Sequence, residues 1–270
     1  MNNQNQIYKQ LEEKHYDSTY SKGVGYYYPD DNEISNNDKV NIAARRFIEN
    51  RTMDILKILK QGEMLDYGCA IGEKTYKYSS PEWKITGIDI STKSIEVANE
   101  ISGKLHINSA FIVMDCENLS FEKDRFDIIY DFGTFSSLDI TKALPELIRV
   151  MKKDGYLIAI ETLGNNPITA LKRRINALRG SRTRWSVNHI LKINDLVRIS
   201  KEFEHSEITY FSLTTIYISP FLSLFPKNKH FAIIGFFEKI DRKLLKYRFF
   251  QYMAFKAVAI LSKPLIKSQQ

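Results

Sequence analysis

Glu63-Met64-Leu65-Asp66-Tyr67-Gly68-Cys69-Ala70-Ile71-Gly72, followed by Thr86-Gly87-Ile88-Asp89-Ile90, is the stretch that decides the fold. It predicts a buried strand, a glycine-bearing turn, a helix and a second strand ending in a carboxylate. That order is the opening βαβ unit of a nucleotide-binding sheet. Gly68 and Gly72 let the backbone turn sharply and approach a ligand, because a Cβ at either place obstructs a left-handed torsion or the ligand itself. Asp89 lies 23 residues after Asp66. At the carboxyl end of the second strand it is placed to accept hydrogen bonds from a ribose diol. The pattern is a signal for adenosine. A dinucleotide site needs the cradle Gly-x-Gly-x-x-Gly, and the run Gly68-Cys-Ala-Ile-Gly72 has no third glycine in register.

At these residues the chain resembles the class I S-adenosylmethionine-dependent methyltransferases, whose first motif runs apolar, Leu, Asp, x, Gly, x, Gly, x, Gly. Leu65, Asp66, Gly68 and Gly72 match, and Ala70 stands where the middle glycine usually does. Met114-Asp115-Cys116-Glu117-Asn118-Leu119-Ser120-Phe121 resembles the family's Asp-Ala-Glu-x-Leu-Pro-Phe segment, which assigns Asp115 to the adenine amino group. Phe126–Asp131 resembles the fourth strand, and Ala143–Ile160 the helix, turn and fifth strand that follow. The resemblance implies S-adenosyl-L-methionine as cofactor. It implies a cofactor set of Asp66, Gly68, Cys69, Ala70, Gly72, Asp89, Ile90, Asp115, Cys116 and Asp131. The fold it implies is α/β, a Rossmann-like, doubly wound, seven-stranded and mostly parallel sheet.

With 270 residues, 43% hydrophobic and 26% charged, the chain can form one elaborated domain. Its apolar runs fall short of the ~20 residues of a membrane span, and the polar start is no signal peptide, so a cytoplasmic protein is expected. The two cysteines, Cys69 and Cys116, sit inside the cofactor motifs rather than at disulfide or zinc spacings. They read as reduced packing residues. Charge is uneven: residues 1–164 carry a balance of −6, residues 165–270 one of +13, within a net +7. A basic half meets nucleic acid, anionic lipid or an acidic substrate.

Taken in order, residues 1–40 are read as an N-terminal cap in which Tyr20, Tyr27 and Tyr28 face a cofactor or substrate. Apolar positions over 38–61 predict a helix that Gly62 stops. The core runs over 41–164. Its loop after the fourth strand holds Asp131, Phe132, Thr134, Phe135, Ser136, Ser137 and Asp139, where open α/β sheets place ligands. Phe135 is a substrate candidate, and Asp131, Asp139 and, after the fifth strand, Glu161 are candidate bases. Many relatives carry histidines near Ser136 and Ser137, and this chain does not.

Residues 165–220 are read as a basic substrate-side insertion with closing strands. The Asn165-Asn166-Pro167 turn, the basic run Lys172-Arg173-Arg174 and His189 resemble a bacterial subgroup acting on small molecules and glycans. Arg174 is a substrate candidate and His189 the leading base, with a capping or packing histidine as the plainer reading. Residues 221–270 show apolar positions from Ile240 to Leu261 at helical spacing, which predicts an amphipathic helical extension, either a lid, a membrane-surface contact or scaffold. The expected function is methyl transfer to an oxygen of a small-molecule, carbohydrate-containing or lipid-like acceptor. Carbon or nitrogen acceptors, nucleic acid and a non-catalytic module are the alternatives. No stable nucleic-acid partner is expected, because no Asn/Asp-Pro-Pro-Tyr/Phe motif for a flipped base is present.

Overall fold

The computed structural model describes residues 3–20, 35–178 and 189–265. Seven strands form one sheet: β1 (Gly62–Tyr67), β2 (Trp83–Asp89), β3 (Ser109–Val113), β4 (Phe126–Asp131), β5 (Met151–Thr162), β6 (Phe203–Phe211) and β7 (Lys256–Pro264). Their order is β3-β2-β1-β4-β5-β7-β6. The first five run parallel, and β7 enters antiparallel between β5 and β6. The strand order reverses between β1 and β4, which is where an open α/β sheet opens a crevice for a ligand.

Side chains alternate across the sheet and so fix which helices cover which face. Met64, Ile128, Tyr130, Ile158, Ile160, Val258 and Ile260 point to the face covered by α3 (Ile42–Leu59), through its Ala44, Ile48, Ile55 and Leu56. Leu65, Tyr67, Ile129, Leu157, Ala159 and Leu261 point the other way. They pack on Leu147 and Val150 of α5 (Ile140–Val150) and on Leu196 and Ile199 of the helix Ile193–Ser200. A third cluster joins Ile95, Ala98 and Ile101 of α4 (Thr92–Leu105) to Phe111 and Cys69, seating the turn after β1.

Three expectations change. Gly62 does not stop α3: Lys60 takes the positive φ of 67° at the helix end. Gly62 is needed for another reason, since a Cβ there would meet Asp127 Oδ2 at 2.5 Å. Residues 203–213 supply one closing strand, β6, rather than several. The helical extension ends early: helices His230–Leu244 and Arg248–Gln251 form, but Lys256–Pro264 is β7, inside the sheet. Ala257 to Leu261 is an unbroken apolar run buried on both faces, which suits an interior strand better than an amphipathic helix. The helical spacing from Ile240 onward runs two elements together.

The tail is therefore framework. Leu261→Ala should lower the unfolding free energy by about 2–5 kcal/mol in urea melts, the range for emptying a buried leucine site. A surface lid residue would show a change near zero.

Candidate functional site

The site is built where β1, β2 and β4 end. Gly68 leaves β1 with φ 71°, and a Cβ on it would meet Thr134 Oγ1 at 2.2 Å. Thr134 Oγ1 in turn donates to the Tyr67 carbonyl at 2.9 Å, so the β1 and β4 turns lock together only over a glycine. Ala70 also takes a left-handed φ, 48°, which costs a non-glycine residue about 1–2 kcal/mol. The Ala70 N–H donates to Asp89 Oδ2 at 2.9 Å, and the Ser91 N–H donates to Oδ1 at 2.9 Å. Hydrogen bonds to a charged acceptor contribute about 1.5–3 kcal/mol, so the Asp89 contact offsets the strain at Ala70. The residue that replaces the usual glycine is held in place by the carboxylate it approaches.

Around this turn lies a cavity of about 210 Å³ lined by Gly68, Ala70, Asp89, Ile90, Asp115 and Cys116 on the sheet side. Phe132, Gly133, Thr134, Ser137 and Leu138 line it from the β4 loop, and Lys9, Glu12 and Tyr16 from α1 (Asn3–Tyr20). Six of the ten expected cofactor residues therefore meet at one cavity. Asp66 and Asp131 are buried beneath it, Cys69 packs with Ile95 and Phe111, and Gly72 carries the far side of the turn at φ 77°.

Asp66 accepts from Thr75 Oγ1 at 2.5 Å and fixes the turn from below. Burial pushes its pKa up to about 7, with the nearby Asp89 and Asp131 charges adding to the rise. Asp131 accepts from the Thr134 N–H at 3.1 Å and the Gly133 N–H at 3.4 Å. It also pairs with the buried Glu161 of β5, which accepts from the Phe135 N–H at 2.8 Å. Burial raises Asp131 to about 6 and Glu161 well above the usual carboxylate range. With its oxygens committed to the β4 loop, Asp131 positions that loop and does not present itself to a substrate proton. Glu161, expected as a candidate base, is likewise buried and committed to the β4 loop.

The described part of the cap is the helix α1. Tyr27 and Tyr28, with the Tyr20 side chain, lie outside the described residues. Of the cap's described tyrosine side chains, Tyr16 reaches the cavity, with its hydroxyl 3.5 Å from Ser137 Oγ. Charge does the fastening. Lys9 pairs with Asp115 and, at 2.9 Å, with Glu117, while Asp17 Oδ1 accepts from Ser91 Oγ at 2.5 Å and the Lys93 N–H at 3.2 Å. The Lys9 ammonium thus sits on the carboxylate assigned to the adenine amine. At about 210 Å³ the cavity, lined in part by α1, is below the ~300–1,000 Å³ of ligand sites.

Other expectations resolve as follows. Phe135 is a core residue, fully buried with its ring 6.0 Å from that of Tyr67, so Phe132 is the aromatic of the β4 loop that lines the cavity. Arg174 is exposed on the helix Pro167–Leu178, whereas Arg173 is buried, donates to the Leu163 carbonyl at 3.0 Å and stacks on Phe255. His189 adjoins the exit of β5, where Ile190 packs on Gly164 and the Gly164 N–H donates to the Leu191 carbonyl at 2.9 Å, and it does not line the cavity. Cys69 and Cys116 are free, and burial pushes both thiols well up, as packing residues require.

Residues 58–204, more than half of the chain, match the family described as a methyltransferase domain. The chain belongs to that family. Demethylmenaquinone methyltransferase from Staphylococcus aureus is 29% identical over 130 residues, 47% of this chain and 54% of that one. The chain thus matches about half the length of such curated relatives. Geranyl diphosphate C-methyltransferase from Streptomyces coelicolor shares the fold at a TM-score of 0.60 and 13% identity, over 94% of this chain and 98% of that one. The cyclase SpnF does so at 0.56 and 17%, over 97% and 95%. The methyltransferase fold therefore carries more than one reaction, and the site has to argue the chemistry.

The cofactor is S-adenosyl-L-methionine, and the residues fit it. Asp89 and Asp115 offer acceptors to a diol and an amine, the Gly68–Ala70 turn leaves room for close approach, and Tyr16 and Phe132 supply aromatic faces suited to a cation.

The buried acids set a pH dependence. Asp66 has its folded pKa raised above the ordinary 3.8, so the folded state holds a proton that the unfolded chain releases. Stability from this group is present at low pH and is lost as pH rises through about 7. Between about pH 5.5 and about pH 8, Asp66 should account for roughly 2 kcal/mol of lost stability. Urea melts at the two pH values should show that loss in the wild type and a smaller one in Asp66→Asn.

Proposed function

We propose that this methyltransferase transfers a methyl group to an oxygen of a carbohydrate-containing or lipid-like acceptor. The observation that supports the reading is the segment 212–255, inserted between β6 and β7. Since β7 runs antiparallel to β5 and to β6, the end of β6 and the start of β7 lie at the same sheet edge as the ends of β1, β4 and β5. Forty-four residues of basic and aromatic chain thus leave and rejoin the sheet at the edge that carries the cofactor cleft. A small, freely soluble acceptor needs little beyond the sheet and a short cap.

S-adenosylmethionine supplies the methyl group on a positive sulfur, and the protein supplies alignment and exclusion of water. Asp89 would hold the ribose, Asp115 the adenine amine once Lys9 is displaced, and the Asp131–Glu161 pair keeps Gly133 to Ser137 set against the cleft. An oxygen acceptor gains from a base, since a hydroxyl pKa is far above 7. His189, at the exit of β5 and outside the cavity lining, is the proposed base. A carbon acceptor is the second reading. It is favoured by the commitment of Asp131 to its loop, which leaves the cleft with no cavity-facing base on the β4 turn other than hydroxyls.

Tritiated methyl transfer into fractionated extract tests both. Label in a glycan or lipid fraction, stable to mild base and reduced at least a hundredfold by His189→Ala, is the expected result. Label only in protein or nucleic acid overturns the acceptor class, and an undiminished His189→Ala rate removes the base and favours carbon.

A further inference from the structure

Between β6 and β7 the chain turns its acids inward and its cations outward. Asp241 of the helix His230–Leu244 is buried, accepting from the N–H groups of Leu213 at 3.0 Å and Thr214 at 2.7 Å. Glu238, one turn earlier, faces a groove shared with Arg46, Phe47 and Tyr210, and burial raises its pKa. These two are the acids of residues 219–251. The same span holds seven exposed cations, Lys227, Lys229, Lys239, Arg242, Lys243, Lys246 and Arg248.

Large apolar side chains are exposed among them. Phe236 shares the outer helix face with Lys239 and Lys243, at spacings of three and four. Leu224 and Phe225 precede the helix and Tyr247 and Phe249 follow it, with Leu224 and Phe249 each 76% exposed. The helix Pro167–Leu178, which leaves β5 at the same sheet edge, also exposes Ile168, Leu171, Ile175 and Leu178. Singly exposed apolar residues need no explanation, but two helices doing this on one edge do.

We propose that this edge docks on an anionic phospholipid bilayer. The outward charge is of one sign, which complements an anionic surface, and the apolar side chains gain by entering the acyl boundary. A nucleic acid would satisfy the cations but offers little to Leu224 or Leu171. No helix of the described residues is long and apolar enough to cross a membrane, so contact is with the surface. Docking would bring the cofactor cleft to the lipid, where an amphipathic acceptor is concentrated. The inference stands on binding alone and does not need the acceptor to be correctly named.

The test is sedimentation of the full chain with vesicles of phosphatidylcholine alone or with about one third phosphatidylglycerol. The wild type should bind the anionic vesicles at least tenfold more tightly, and less so as salt is raised. Lys239→Glu with Lys243→Glu, and separately Leu224→Ser with Phe236→Ser, should each weaken binding at least fivefold with melting temperatures unchanged. Equal recovery with both vesicle types, or binding untouched by either pair, overturns the proposal. Tighter binding to a single-stranded oligonucleotide, lost in the charge pair and kept in the apolar pair, assigns the face to nucleic acid instead. A concentration-dependent dimer abolished by the apolar pair, with no vesicle binding, assigns it to a second copy.

Discussion

The Asp89 carboxylate is the constraint from which the cofactor site is built. One oxygen holds Ala70 in a left-handed conformation and the other holds Ser91 at the entry to α4, so two successive turns are tied to the end of one strand. Neither turn is stable alone. Ala70 carries strain of about 1–2 kcal/mol, and Gly68 tolerates Thr134 only because it lacks a Cβ. Placing β1 beside both β2 and β4 makes the arrangement affordable, since the turns are then pressed against one another rather than against water.

Below that turn, burial changes what the acids do. Asp66, Asp131 and Glu161 lie at the ends of adjacent strands, out of water, and each has its pKa raised. As hydrogen-bond hubs they hold the Thr75 hydroxyl and the backbone of residues 133–135. Above the turn Asp115 stays partly exposed, while Glu117 is buried. Asp115 and Glu117 bind Lys9, and through it α1, with a strength that water and a competing amine can modulate.

The cofactor half was legible because its signals are local. Gly68, Gly72, Asp89 and Asp115 act within a few residues of a strand end, and strand, turn and acid occur in sequence order. The seven-stranded, mostly parallel sheet followed from the family resemblance that these motifs carry. What was not legible depends on distant pairing. Lys256–Pro264 reads as the end of a helix until β5 and β6 are placed on either side of it. Arg173 reads as a surface cation until Leu163 and Phe255 enclose it, and Phe135 as a substrate contact until Tyr67 takes it into the core. Lys9 carries no motif at all. Its meaning comes from two carboxylates more than a hundred residues away.

Calorimetric titration with S-adenosylhomocysteine tests the central claim, that Asp89 both shapes the turn and meets the cofactor. The account predicts binding by the wild type and a loss of about tenfold to a hundredfold in Asp89→Ala. It also predicts affinity at least equal to wild type in Lys9→Met, since the competing ammonium is gone. Equal affinity in Asp89→Ala, or no binding by the wild type, would contradict it.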